Sequence, residues 1–237
     1  MTDIKGSVAL VTGASRGIGK ALVQALYERG AAKVYATARN PKSIGHPDAV
    51  PLALEVTDQQ SVAAAAIAAP DVTILINNAG ISLGASFLDS PLDDIRREFE
   101  INFFGPLLTT RAFAPILERN GGGHILNMHS VLSWVTLPGV EAYSASKAAL
   151  WSQTNGLRLA LRPRGIGVTG LHVGYVDTDM TAGIDAPKVS PQHVAQVALD
   201  GIEADAPEVL ADELTRQVKA GLSADITALY PQLAAGA

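Results

Sequence analysis

Short runs of aliphatic and β-branched residues, each followed by an alanine-rich stretch with helical spacing, limit what this chain can fold into more than any other feature. Val8-Ala9-Leu10-Val11, Val34-Tyr35-Ala36, Val72-Thr73-Ile74-Leu75-Ile76, His124-Ile125-Leu126-Asn127-Met128 and Val168-Thr169-Gly170-Leu171 show almost no polar alternation. A strand with one wet face alternates, whereas a strand covered on both faces does not. Helical patterns lie between them, over 18–29, 61–68, 92–119 with a break near Gly105-Pro106, and 142–161, which Pro163 closes. Strands alternating with helices predict an α/β fold, a doubly wound parallel β-sheet with helices on both faces. Ligands of such sheets bind beyond the carboxyl ends of the strands.

Composition narrows the function classes. The chain has 237 residues, 48% hydrophobic and 17% charged, and no shift in composition marks a boundary, so a single domain over 1–237 is expected. A net charge of −5 leaves no basic stripe for a phosphate backbone, which argues against a nucleic-acid partner. No apolar run approaches the ~20 residues needed to span a bilayer and no leader pattern precedes the first strand, so a cytoplasmic protein without membrane contact is expected. The absence of cysteine excludes disulfides and thiolate metal sites. His46, His124, His129, His172 and His193 lack paired ligand spacing, so no metal is expected.

The first strand runs into Thr12-Gly13-Ala14-Ser15-Arg16-Gly17-Ile18-Gly19. Glycines there allow a tight turn and a close backbone approach to a pyrophosphate, and the helix that opens points unpaired amides at its charge. The spacing is GxxxGxG, not the GxGxxG of long-chain dehydrogenases. An acidic residue that would bind the adenosine ribose belongs near the end of the second strand, but Ala38 is followed there by Arg39. Arg39 and Arg16 can flank a 2′-phosphate with bidentate geometry, so NADP(H) is expected in preference to NAD(H).

Tyr143 and Lys147 stand four apart on one face of the 142–161 helix, and Ser130 lies thirteen residues before the tyrosine. A free phenol titrates near pH ~10, and a neighbouring ammonium favours the phenolate, so lysine is expected to lower the tyrosine pKa. Asn77-Asn78-Ala79-Gly80 follows one strand, Ser130 follows the next, and Asn102 sits in the long helix before its break.

In this order, TGASRGIG at 12–19, NNAG at 77–80, Asn102, Ser130 and YSASK at 143–147 resemble the short-chain dehydrogenase/reductases, in their compact single-domain branch with a Rossmann-type sheet. The likeness extends through about Thr178. It implies Tyr143 as general acid/base, Ser130 as the group that holds the substrate oxygen, Lys147 on the nicotinamide ribose, and Asn102 ordering a relay water. It further implies cofactor contacts from Gly13, Ser15, Arg16, Gly17, Ile18, Gly19, Arg39, Val56, Asn78, Ala79, Gly80, Tyr143, Lys147, Val176 and Thr178. The implied activity is NADP(H)-dependent interconversion of a carbonyl and an alcohol, of the carbonyl reductase or alcohol dehydrogenase type. The alternatives are an NAD-dependent dehydrogenase and a non-catalytic NADP(H) sensor.

Departures from the family pattern also carry information. Val173-Gly174 replaces the usual Pro-Gly, so the following loop is expected to start with looser geometry. Glu55 stands where an adenine-contacting aspartate is usual, and a polar helical stretch from Asp212 to about Leu222 occupies the variable segment 207–237. Leu132, Trp134 and Tyr175, with other apolar residues after Ser130 and Gly80, are expected to wall a pocket for a small hydrophobic ketone, aldehyde or alcohol. The substrate loop is placed at about 174–190, with a mobile lid near its end. Family habit implies a homotetramer or homodimer.

Overall fold

A computed structural model describes residues 2–233. Strands β1 (Val8–Val11), β2 (Lys33–Ala38), β3 (Val50–Ala53), β4 (Ile74–Asn77), β5 (Gly123–Met128), β6 (Ile166–His172) and β7 (Glu208–Leu210) form one sheet in the order β3-β2-β1-β4-β5-β6-β7. Every neighbouring pair is parallel. The pleat sends alternate residues to opposite faces. Ala9, Val11, Ile74, Ile76 and Leu126 pack beneath α1 (Gly17–Glu28) and α6 (Pro191–Glu203). Leu10, Leu75, Ile125 and Val168 face α2 (Gln59–Ala68), α4 (Gly105–Arg119) and α5 (Glu141–Leu161). Burial of each large aliphatic contributes about 1.5–3 kcal/mol, which is why both faces must be covered.

Strand β3 and helix α6 are additions to the predicted runs and helical patterns. β3 contains Pro51 and is largely exposed, as an edge strand with only β2 beside it can be. Helix α6 opens on Ser190, whose side chain accepts from the His193 amide, with Pro191 in the first turn. Its buried Val194, Ala195, Ala198, Leu199 and Ile202 have clear helical spacing. The expected break at Gly105-Pro106 is instead a π-helical turn, Glu100–Phe104, joining α3 (Leu92–Phe99) to α4 without interruption.

Strand order reverses between β1 and β4, since the chain leaves β1 toward β2 and β3 and returns on the other side. Such a switch point opens a crevice at the carboxyl ends. Beyond β6, the loop over 174–190 is pinned at its ends: Asp177 N donates to Val189 O at 2.9 Å and Val189 N to Tyr175 O at 2.9 Å. The tip, with Met180 and Ile184, is exposed. Short helices α7 (Glu213–Gly221) and α8 (Ile226–Leu229) follow β7. They reach back toward the segment after β5, where Thr136 N donates to the Tyr230 hydroxyl at 2.9 Å. Among the described residues, no helix is long and apolar enough to cross a membrane.

Candidate active site

The crevice between β1 and β4 is built by reciprocal bonds between the two motifs that flank it. Thr12 Oγ1 accepts from the Asn78 and Ala79 amides, each at 2.9 Å. Asn78 Nδ2 donates to Thr12 O at 2.9 Å and Gly13 O at 3.2 Å. Gly13 has φ +66°, and a Cβ there would lie 3.0 Å from Ala79 Cα, so the turn requires glycine for both conformation and space. At the start of α1, Arg16 provides no side-chain cap and the first turn has no acidic residue. Amides of Gly17, Ile18 and Gly19 therefore face the crevice end without a capping partner, an arrangement that suits an anionic phosphate. These residues fit a dinucleotide pyrophosphate.

The arginines diverge. Arg16 Nη1 pairs with Asp179 Oδ2 at 2.9 Å, both side chains being largely exposed, and so ties the glycine turn to the loop after β6. Arg39 is exposed just beyond β2 and forms no ion pair among the described residues. Of the two, it is the guanidinium left available for a 2′-phosphate. Val56 is buried and packs against Gly105 at the head of α4. Glu55 turns its carboxylate back on its own loop, accepting from the Thr57 hydroxyl at 3.0 Å. Thr178 lies against Gly17, and Val176 is buried beneath the loop.

Farther along the carboxyl edge, Ser130, Tyr143, Lys147 and Asn102 converge. Ser130 caps the 3-10 turn Val131–Ser133, its Oγ accepting from Leu132 N at 3.1 Å. Lys147 Nζ lies 5.8 Å from the Tyr143 ring centroid and donates to Met128 O at 2.8 Å. Gly80 sits between the lysine and Asn102: a Cβ there would be 3.1 Å from Asn102 Oδ1 and 3.6 Å from Lys147 Nζ. Asn102 and Lys147 therefore flank the end of the Asn77–Gly80 segment.

Electrostatics at this edge differ from expectation. Burial pushes the Tyr143 phenol up to about 12; a hydrogen bond from Ser130 pulls it down, and the Glu98 charge pushes it further up. Burial also lowers Lys147 to about 8. The Lys147 ammonium is directed at the Met128 carbonyl, to which it donates at 2.8 Å. At neutral pH Tyr143 is a protonated donor.

Asn102 is held on both sides of its amide. Its Oδ1 accepts from Ile81 N at 2.9 Å, and its Nδ2 donates to Ile81 O at 2.9 Å and Ser146 Oγ at 3.0 Å. Ser146 Oγ in turn donates to Tyr143 O at 2.7 Å. The side chain is a clamp joining the π turn, the loop after Gly80 and the first turn of α5. One helical turn earlier, Glu98 is fully buried, with Oε1 accepting from Leu83 N at 2.6 Å and Oε2 unpartnered. Burial raises its pKa. The i, i+4 spacing from Asn102 was the available signal for Glu98, but a carboxylate inside a charged helix reads as solvent-facing.

A buried polar chain fixes α5 on the sheet. Thr109 Oγ1 donates to Asn77 Oδ1 at 2.7 Å, Asn77 Nδ2 to Asn127 Oδ1 at 2.8 Å, and Asn127 Nδ2 to Thr154 Oγ1 at 2.8 Å. Each polar atom in this chain finds a partner, so the network aligns helix and strands rather than destabilising the core.

Trp134 stacks on His172 at 3.8 Å between centroids, while Lys219 Nζ lies 4.8 Å over its ring. The loop after β6 is not loosened by the missing proline. Gly174 N donates to Asp212 Oδ2 at 2.6 Å, and Asp212 also caps α7 through the Thr215 amide at 2.8 Å. A carboxylate from a remote segment thus restrains what proline's ring would have fixed locally. Leu132 and Tyr175 are half-buried at the carboxyl edge. Leu83 and Leu137 are more exposed. Among the described residues, no group of three or more His, Asp or Glu could hold a metal.

Comparison with known proteins places this geometry among relatives. The family model described as short chain dehydrogenase matches residues 7–188. An uncharacterized oxidoreductase of Staphylococcus aureus strain USA300 is 32% identical over 213 residues, covering 84% of this chain and 92% of that protein. A short chain dehydrogenase from Burkholderia cenocepacia J2315, solved in complex with NADP, superposes with a TM-score of 0.93 at 40% identity, covering 98% of this chain and 99% of that one. A putative short-chain alcohol dehydrogenase from Sinorhizobium meliloti 1021 gives 0.83 at 29% identity, over 91% and 98% of the two chains.

Proposed function

This chain belongs to the short-chain dehydrogenase family, and we propose that within it the protein is an NADP(H)-dependent carbonyl reductase, acting on a small hydrophobic ketone or aldehyde with Tyr143 as the general acid. The convergence of Ser130, Tyr143 and Lys147 at the carboxyl edge, beside the uncapped start of α1, carries this reading. A bound NADPH would supply the hydride.

The chain's own groups supply the rest. Ser130 and Tyr143 place two hydroxyls toward one substrate oxygen, where their hydrogen bonds strengthen as negative charge develops. The Tyr143 phenol is protonated at neutral pH and can give up that proton as the charge appears. Lys147, buried and held by Met128 O, offers a fixed ammonium for ribose hydroxyls. Exposed Arg39 favours the 2′-phosphate of NADP(H), and the Burkholderia cenocepacia relative with NADP supports that preference. The half-buried Leu132 and Tyr175, with Leu83 and Leu137 nearby in sequence to the site, favour an apolar substrate.

Oxidation of NADPH against a panel of ketones and aldehydes tests the proposal, with Tyr143→Phe as the diagnostic variant. The variant should retain NADPH binding and lose about 10²–10⁴ in turnover, the usual contribution of a positioned acid. Near-normal turnover in Tyr143→Phe would remove the tyrosine from this role.

A further inference from the structure

Behind Ser130, three aromatic rings form a column. Trp134 stacks on His172 with centroids 3.8 Å apart and His172 on His129 at 4.6 Å, each pair 16° from parallel. The column has no slack at either end. His129 is wedged against β6, where a Cβ on Gly170 would stand 2.8 Å from its ring, so only glycine admits it. Over the outer face of Trp134 lies Lys219 of α7, whose Nζ pairs with Glu208 Oε2 at 2.8 Å, and Glu208 Oε1 accepts from Trp151 Nε1 at 3.1 Å.

Hydrogen bonds assign the tautomers. Thr154 Oγ1 stands 2.8 Å from Leu150 O and 3.1 Å from His129 Nε2, so when its one proton goes to the carbonyl the ring nitrogen is the donor. His172 Nδ1 stands 3.3 Å from Ser130 O, and a carbonyl can only accept, so the Nδ1 proton is donated to it. His172 Nε2 is left without a hydrogen-bond partner. The single bond made by this fully buried ring is therefore to the main chain of Ser130.

Ser130 is also bound from its other side, by Leu132 N on its hydroxyl and by its amide donating to Ser133 Oγ at 3.3 Å. The short turn that orients the hydroxyl is thus held by local capping bonds, by Val131 N donating to Val173 O at 2.9 Å, and by one remote side chain on the Ser130 carbonyl, His172. We propose that His172, clamped between Trp134 and His129, is a positioning residue for carbonyl reduction: it fixes the Ser130 main chain so that the serine hydroxyl meets the substrate oxygen together with Tyr143. The inference rests on the carbonyl reductase reading for its catalytic consequence, and on the ring geometry alone for its structural one. It also gives the C-terminal segment a function, since β7 and α7 close the column through Glu208 and Lys219.

The test compares His172→Leu, which fills the space without a donor, with His172→Asn, whose Nδ2 can take the place of the imidazole Nδ1. Loss of one net hydrogen bond predicts about a tenfold fall in kcat for His172→Leu, with NADPH affinity unchanged within about twofold. His172→Asn should recover most of that loss. In a Ser130→Ala background, His172→Leu should have no further effect on kcat, because both changes act through one hydroxyl. Hydrogen exchange supplies a readout independent of activity: the peptide spanning 129–137 should exchange faster in His172→Leu than in wild type, and at the wild-type rate in His172→Asn. Equal impairment of the two variants, or additive losses in the Ser130→Ala background, would overturn the proposal. If no carbonyl compound is reduced by the wild type, the reductase reading fails by itself, and unchanged exchange in His172→Leu separately rejects the anchoring role.

Discussion

Gly19→Ala is a demanding test of the crevice geometry. A methyl at Gly19 would collide with the Gly13 carbonyl oxygen and lie 2.6 Å from Asn78 Nδ2, where ordinary contact begins at 3.4 Å. Asn78 cannot retreat freely, because that nitrogen donates to Thr12 O at 2.9 Å and Gly13 O at 3.2 Å. Overpacking of a fixed site costs about 1–3 kcal/mol. Each of the two displaced hydrogen bonds costs about 0.5–1.5 kcal/mol, so the total is about 2–6 kcal/mol. In a chain of this size each kcal/mol moves Tm by about 2–4 °C, which predicts a fall of about 4–24 °C. The displaced turn should also weaken NADPH binding by about tenfold or more, read from fluorescence titration. Gly183→Ala is the control: a Cβ there meets nothing within 4 Å and the glycine does not have positive φ, so Tm should hold within about 2 °C. If Gly19→Ala also kept its Tm and its NADPH affinity, the contact between the glycine turn and Asn78 would not be what shapes this crevice.

Other outcomes follow from the same structure. Arg39→Ala should weaken NADPH about 10- to 100-fold and leave NADH nearly unchanged, the contribution of a charge-assisted phosphate contact; equal weakening of both cofactors would contradict that assignment. Glu98→Gln should raise Tm at pH 8 and have little effect at pH 4.5. The buried carboxyl's folded pKa is raised, so its contribution is intact below the unfolded value and lost as pH rises; a variant less stable than wild type at pH 8 would refute this. Acid should destabilise the protein well above the carboxylate range. Burial holds His124 and His172 at about 4 and His129 well below its usual value, so the rings stay neutral in the fold. The unfolded chain takes up their protons near pH ~6.5, so stability is full above that and falls toward pH 4, by about 3 kcal/mol each for His124 and His172. Urea midpoints that stay constant from pH 7 to pH 5 would rule it out.

Much of this site was legible because its motifs are local. The glycine turn needs only a strand, a tight reversal and a helix start, and Tyr143 and Lys147 need only four residues of helix. What escaped depends on groups distant in sequence. The ring on which Trp134 stacks, His172, lies 38 positions later and gives no local signal of the contact. The Val173-Gly174 departure looks like a loosened loop until Asp212 supplies the anchor. The lysine's effect on the tyrosine could be inferred from spacing, but the direction of its ammonium is set by Met128 O on a neighbouring strand.

The sequence by itself determined the alternation of buried strands and helices, the parallel sheet that follows, and the order of motifs along its carboxyl edge, because hydrophobic period and backbone conformation are properties of short segments. Only the tertiary structure decided the protonation tendencies of Tyr143, Lys147 and Glu98, the clamp formed by Asn102, and the ring column behind Ser130. Desolvation and remote hydrogen bonds arise only when segments far apart in the chain bury one another.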